Sequence, residues 1–134
     1  MSTVSVRYIV HDVDAVLPFY TDALGFTVDM HPAPPFAALS RGDLRLLLNQ
    51  PGGGGGAGQS MPDGRAPEPG GWNRIMIEVD DLDAAVARIR AAGHAFRNEI
   101  VHGMGGRQIL VEDPSGNPIE LFEAAPQGRQ GRPG

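Results

Sequence analysis

The residues of this chain best able to do chemistry are a carboxylate inside a strand, a few scattered arginines and four histidines. Glu120 lies in Asp113–Glu123, which reads Asp-Pro-Ser-Gly-Asn-Pro-Ile-Glu-Leu-Phe-Glu. Asp113 to Asn117 are turn formers: Asp bonds the backbone ahead of it, Pro presets φ, and Gly and Asn tolerate positive φ. The turn feeds a strand. Side chains there change face at every residue, so Ile119 and Leu121 point one way and Glu120 the other. A lone carboxylate on that second face is a candidate to hold a cation, pair with a guanidinium or take a proton. Strand carboxylates usually face solvent. What singles out Glu120 is its place in a duplicated pattern.

The other candidates read as structural. His31 and His102 each follow the second strand of their half, His11 sits at a helix cap and His94 follows a helix stop, so the histidines are assigned to surface and capping positions rather than to a metal. Asp12 and Asp81 are helix caps. The glycines Gly52–Gly56 lack the Gly-Lys-Ser ending of a phosphate loop and lead into no helix. With no cysteine, disulfides, thiolate zinc sites and a cysteine nucleophile are all excluded.

At 134 residues the chain is the size of one domain, and 41% apolar with 20% charged residues is a globular composition. No stretch has the apolar length of a signal peptide or a membrane span, which places the protein in the cytoplasm. A net charge of −5, with 11 Lys and Arg residues forming no run, argues against a nucleic-acid partner.

The elements that would position Glu120 come from periodicity. Val4, Val6, Tyr8 and Val10 alternate as a strand, and Val13, Val16, Leu17, Tyr20 and Leu24 form a helical stripe closed by Gly25. Either Asp12 or Asp14 caps that helix. Pro18 is near the first turn in the second case and a kink in the first. Phe26–Met30 reads as a strand, His31–Pro35 as turn-rich, and Phe36–Leu39 with Leu44–Leu48 as a hairpin. Pro51–Gly71 holds five consecutive glycines and almost no large apolar residues, so it reads as a flexible linker, with Met61 and Trp72 leaving a lid as the alternative. The pattern then restarts. Arg74–Val79 alternates, Leu82, Val86 and Ile89 make a second stripe ending at Gly93, and Phe96–Val101, Arg107–Glu112 and Pro118–Glu123 supply three strands.

Val10-His-Asp-Val-Asp-Ala15 and Val79-Asp-Asp-Leu-Asp-Ala84 superimpose at a shift that also aligns Ser5 with Arg74. Two copies of β-α-β-β-β, the second ending in Asp-Pro-x-Gly-Asn-Pro-x-Glu-Leu, resemble the vicinal oxygen chelate superfamily, which includes glyoxalase I, extradiol dioxygenases and bleomycin-resistance proteins. The resemblance implies an α+β fold in which two β-α-β-β-β modules form a cupped mixed sheet with helices outside. Residues 1–125 would make one such domain, with module 1 at 1–50, a flexible linker at 51–71 and module 2 at 72–125; residues 126–134 would be a disordered tail.

Metal-binding members draw ligands from the first and last strands of each half. Carried over, those positions are Ser5, Arg74, Glu120 and either Arg45 or Leu47. Only Glu120 is a ligand for iron, zinc or nickel, and an arginine at such a position would repel the ion. No metal and no cofactor are therefore expected, with Arg74 pairing to Glu120 in the metal's place. The expected lining is Ser5, Arg7, Arg74, Met76 and Glu120, with Phe36, Trp72 and Arg107 or Gln108 near the rim. The leading expectation is a small-molecule binding protein similar to the bleomycin-resistance branch, holding an antibiotic or secondary metabolite. The alternative is a metal-independent lyase, isomerase or cyclase in which Glu120 is the general base and Arg74 stabilises an oxyanion. A metal-dependent glyoxalase or dioxygenase ranks below both. The resemblance also implies a homodimer, and no membrane partner is expected.

Overall fold

The computed structural model describes residues 4–53 and 56–126. The expected tail at 126–134 therefore lies, Pro126 apart, outside the described residues, as do Gly54 and Gly55 of the expected linker. The chain packs as two compact units, one holding the described residues to Gly71 together with Pro114–Asn117, the other Trp72–Asp113 and the described residues from Pro118 onward.

The first unit contains β1 (Ser5–Ile9), α1 (Val13–Pro18), β2 (Thr27–Ala33), β3 (Phe36–Arg41) and β4 (Leu44–Asn49). Its sheet order is β1-β4-β3-β2, with β1 parallel to β4 and the remaining pairs antiparallel. The second repeats this plan with β5 (Ile75–Glu78), α2 (Leu82–Ala91), β6 (Val101–His102), β7 (Gly106–Glu112) and β8 (Pro118–Ala124), in the order β5-β8-β7-β6. This is the α+β fold of two β-α-β-β-β modules that the duplication implies.

Strand alternation divides each sheet into a core face and a helix-free face. In the first unit Tyr8, Leu39, Leu46 and Leu48 are buried along with Val13, Val16, Phe19 and Tyr20 of the helical segment. In the second, Ile75, Ile77, Ile109, Val111, Ile119 and Leu121 are buried along with Leu82, Val86 and Ile89 of α2.

The caps resolve the ambiguity at Pro18. Asp12 is the N-cap, its side chain accepting from Ala15 N at 3.3 Å, so Pro18 falls inside the helix. Proline offers no N–H to the preceding turn, and the helix widens to π-helical spacing over Phe19–Ala23. Gly25, at φ 76°, then closes it with Phe26 N donating to Tyr20 O at 2.9 Å. In α2, capped by Asp81, the corresponding closure at Gly93 runs from His94 N to Ile89 O, one residue shorter. That residue is the π-helical widening.

Two strand expectations need correction. The second strand extends through His31 and Pro32 to Ala33, because it is the outermost strand of its sheet and its register shifts at Val28/Met30 and Met30/Ala33, which is where a proline without an N–H is tolerated. Conversely, Phe96–Val101 is not a continuous strand. Phe96 makes an isolated bridge to Val111, and Asn98 Oδ1 accepts the Leu110 N–H at 3.0 Å, so a side chain takes the place of a ladder bond. Only Val101–His102 pairs regularly with β7.

The described part of Pro51–Gly71 has local structure of its own: Gly52 N donates to Gly58 O at 2.7 Å around a short 3₁₀ turn, Gly56–Gly58. Gly58 is buried so tightly that a Cβ there would lie 2.5 Å from Gln50 O, which is why this turn needs glycine. The turn read from Asp113–Asn117 also has a clear purpose. Buried Asn117 donates from Nδ2 to Ile9 O and accepts Gly70 N–H at Oδ1, both at 2.8 Å, while Ser115 Oγ accepts from His11 N at 2.9 Å. No helix among the described residues is long and apolar enough to cross a membrane.

Candidate functional site

In the second unit, Met76 stands in register with Glu120 across the parallel β5–β8 pair, and Leu110 flanks Glu120 from β7. Glu120 therefore emerges on the helix-free face while Ile119 and Leu121 are buried in the core. It is only 9% exposed, and its Oε1 accepts from Arg74 Nε at 3.1 Å and Nη2 at 2.9 Å. Arg74 Nη1 also donates to the carbonyl of Trp72 at 3.2 Å. The expected Arg74–Glu120 pair is present, and it satisfies a carboxylate that would otherwise be buried without a counter-charge.

A second pair lies beside the same face. Arg97 Nε donates to Glu112 Oε2 at 2.7 Å, and the Arg97 guanidinium lies over the Trp72 ring, 5.2 Å from its centroid. Sequence reasoning missed Arg97. The available signal was the alternation that sets Arg97 and Phe96 on opposite sides; Phe96 goes to the helix side, under the Arg90 guanidinium. Trp72 and Met76 remain 73% and 55% exposed, so this face offers apolar surface next to paired charges.

Arg107 is not on this face. The β7 register pairs it with Glu123, on the side that carries α2, where Nη2 donates to Glu123 Oε1 at 3.0 Å and Asp83 Oδ2 at 3.1 Å. The Glu123 carboxylate, and after it Asp83, pushes the Arg107 pKa up. Glu123 Oε1 also accepts the Leu82 N–H at 2.8 Å, so this trio anchors the start of α2. Of the two rim alternatives, Gln108 is the one in register with Phe122 on the helix-free side.

In the first unit, Ser5, Arg7 and Ile9 of β1 are in register with Arg45, Leu47 and Asn49 of β4, and Phe36 of β3 with Asn49. Arg7 Nη1 donates to the buried Asn49 Oδ1. Each unit thus sets an arginine diagonally across its parallel strand pair onto a polar side chain. The ladders also decide the register left open between Arg45 and Leu47: Val10 N bonds Asn49 O just as Val79 N bonds Phe122 O, which makes Leu47 the counterpart of Glu120.

Taken unit by unit, these residues make no donor set for a divalent ion. Ser5, Leu47 and Arg74 bring neither carboxylate nor imidazole, and Glu120 has two guanidinium N–H groups on one oxygen. Among the described residues no three or more His, Asp or Glu side chains gather as an ion-binding group. His31 is engaged otherwise, its Nδ1 2.8 Å from Phe36 O and its Nε2 2.8 Å from Asp14 Oδ1. Both partners are acceptors, the Phe36 carbonyl first and then Asp14, so they raise the His31 pKa.

Two β-α-β-β-β modules, each with a four-stranded mixed sheet, are the fold of the vicinal oxygen chelate superfamily. Residues 3–121 match the model of the Glyoxalase/Bleomycin resistance protein/Dioxygenase superfamily, and the chain belongs to that family. It is 31% identical over 117 residues to YaeR of Escherichia coli (strain K12), an uncharacterized protein, covering 78% of this chain and 82% of YaeR. A glyoxalase/bleomycin resistance protein/dioxygenase from Nocardioides superimposes with a TM-score of 0.71 at 25% identity, covering 100% of this chain and 90% of its own. TnmS3, an antibiotic binding protein from Streptomyces sp. CB03234, shares the fold at a TM-score of 0.68 and 23% identity, covering 93% of this chain and 97% of its own.

Proposed function

We propose that this chain is a small-molecule binding protein that sequesters an antibiotic or secondary metabolite without a metal. The observation that carries this reading is the Arg74 guanidinium, standing at a position where metal-dependent members place a ligand and donating twice to Glu120. A cation supplied by the chain replaces one supplied by solution. Two charge-assisted hydrogen bonds on Oε1 hold the Glu120 carboxylate in place beside the exposed surface, which supports a binding role. Exposed Trp72 and Met76 beside it supply the apolar surface that small-molecule sites need. The same fold serves the antibiotic binding protein TnmS3. By family likeness the working form is a homodimer, which light scattering would test.

The deciding experiment has two steps. Tag-free protein is incubated with iron, zinc, nickel and manganese, desalted and assayed for metal; it is then screened by thermal shift against antibiotics and aromatic metabolites, and each ligand is recovered for mass analysis. The expected result is no stoichiometric metal and a stabilising ligand returned unchanged. One tightly held ion per chain would overturn the reading. So would conversion of the ligand that Glu120→Gln abolishes, which would make the protein a metal-independent enzyme.

A further inference from the structure

We infer that Trp72 is a preset stacking platform whose selectivity is governed by Arg97, accepting planar, electron-rich aromatic rings that are neutral or anionic and disfavouring planar cations. This rests on the small-molecule reading above and narrows the ligand class.

The chain has one tryptophan, and the residue is 73% exposed although both its backbone and its ring have an arginine contact. Its carbonyl accepts from Arg74 Nη1 at 3.2 Å, and one ring face is covered by the Arg97 guanidinium at 5.2 Å. Arg97 is held in turn, with Nε on Glu112 Oε2 at 2.7 Å and a side chain only 18% exposed. A ring oriented beforehand loses less rotamer freedom when a ligand stacks on it. Arg97 is a positioning residue, for it contacts the indole and not the ligand.

The cation beneath the ring also decides what the open face prefers. An aromatic face is the negative pole of the ring quadrupole and attracts cations. With a guanidinium already on one face, π density is drawn toward it, and the other face becomes a poorer site for a second cation and a better one for an electron-rich ring. Arg97 and Arg74 each have a glutamate partner, so a ligand needs no carboxylate to satisfy them. Neutral phenolic rings therefore qualify along with anionic ones.

The test uses ¹⁵N-labelled full-length protein, in which the lone tryptophan yields a single indole N–H resonance. The probes are 2-naphthol, 1-hydroxy-2-naphthoate and 9-aminoacridinium. Saturable shifts of the indole signal by both naphthyl probes are expected, with the acridinium about fivefold or more weaker, as one competing cation–π contact implies. Arg97→Gln should shrink that ratio about three- to fivefold, whereas Arg97→Lys, which keeps the charge and the Glu112 pairing, should retain most of it. Equal binding of the acridinium, an unchanged ratio in Arg97→Gln, or probe shifts that bypass the indole would each overturn the inference. So would an indole signal that moves with protein concentration and ignores every probe, since a second copy of the chain would then cover the ring. A metabolite from the thermal-shift screen that binds with the indole unmoved overturns the platform and leaves the binding reading standing. Naphthyl stacking without any metabolite hit in that screen would do the reverse.

Discussion

Arg74→Met should destabilise the protein far more than Glu120→Gln, although both remove the same ion pair. Glu120 is 9% exposed, and the paired side chains are 28% exposed for Arg74 and 11% for Glu120, which puts the contact nearer a buried pair than a surface one. Stripping the partner from a buried charge costs about 3–5 kcal/mol, and exposed pairs are worth about 0–1. Arg74→Met leaves the buried carboxylate without either N–H donor, for an expected loss of about 2–3 kcal/mol. In Glu120→Gln an amide oxygen still accepts, and the freed arginine has water within reach, so the loss should be about 1 kcal/mol. The double variant Arg74→Met/Glu120→Leu removes both charges and should return to within about 1 kcal/mol of the parent. Urea denaturation followed by far-ultraviolet circular dichroism at fixed salt measures all three, and unchanged slopes would show that the compared states are alike. Equal losses below about 0.5 kcal/mol would refute the reasoning and mark the pair as solvated.

Two further outcomes follow from the same structure. Because both His31 ring nitrogens face oxygen acceptors and its pKa is raised above 6.5, its stabilisation is complete below about pH 6.5 and is lost as pH rises through the higher native value. Asp14 is 67% exposed, so the stability difference between about pH 5.5 and pH 8.5 should be only about 0.5–1 kcal/mol by urea midpoint, and His31→Gln should remove this part of the pH dependence. A Cβ at Gly106 would lie 2.1 Å from the Glu123 carbonyl oxygen at φ 152°, so Gly106→Ala should cost about 2–4 kcal/mol in thermal or urea unfolding; a neutral effect would mean that the β7–β8 pairing yields there.

The repeat was legible because hydrophobic period and turn chemistry are local. The alternation of β5 and β8, the stripes of both helices, the cap at Asp81 and the stops at Gly25 and Gly93 depend only on neighbours along the chain. The same locality explains the misses. Pro32 reads as a turn residue unless β2 is known to be an edge, and Phe96–Val101 reads as a strand unless Asn98 is known to intercept a ladder bond.

By itself the sequence determined the two-module fold and the alternation that sets Arg74 and Glu120 apart from the core residues beside them. Only the tertiary structure decided which groups meet. Strand register, set by pairing between segments remote in the chain, made Leu47 the first unit's counterpart of Glu120 and turned Arg107 toward α2. It also brought Arg97 under the Trp72 ring, because a side chain's face depends on its own strand but its partners depend on the neighbouring one.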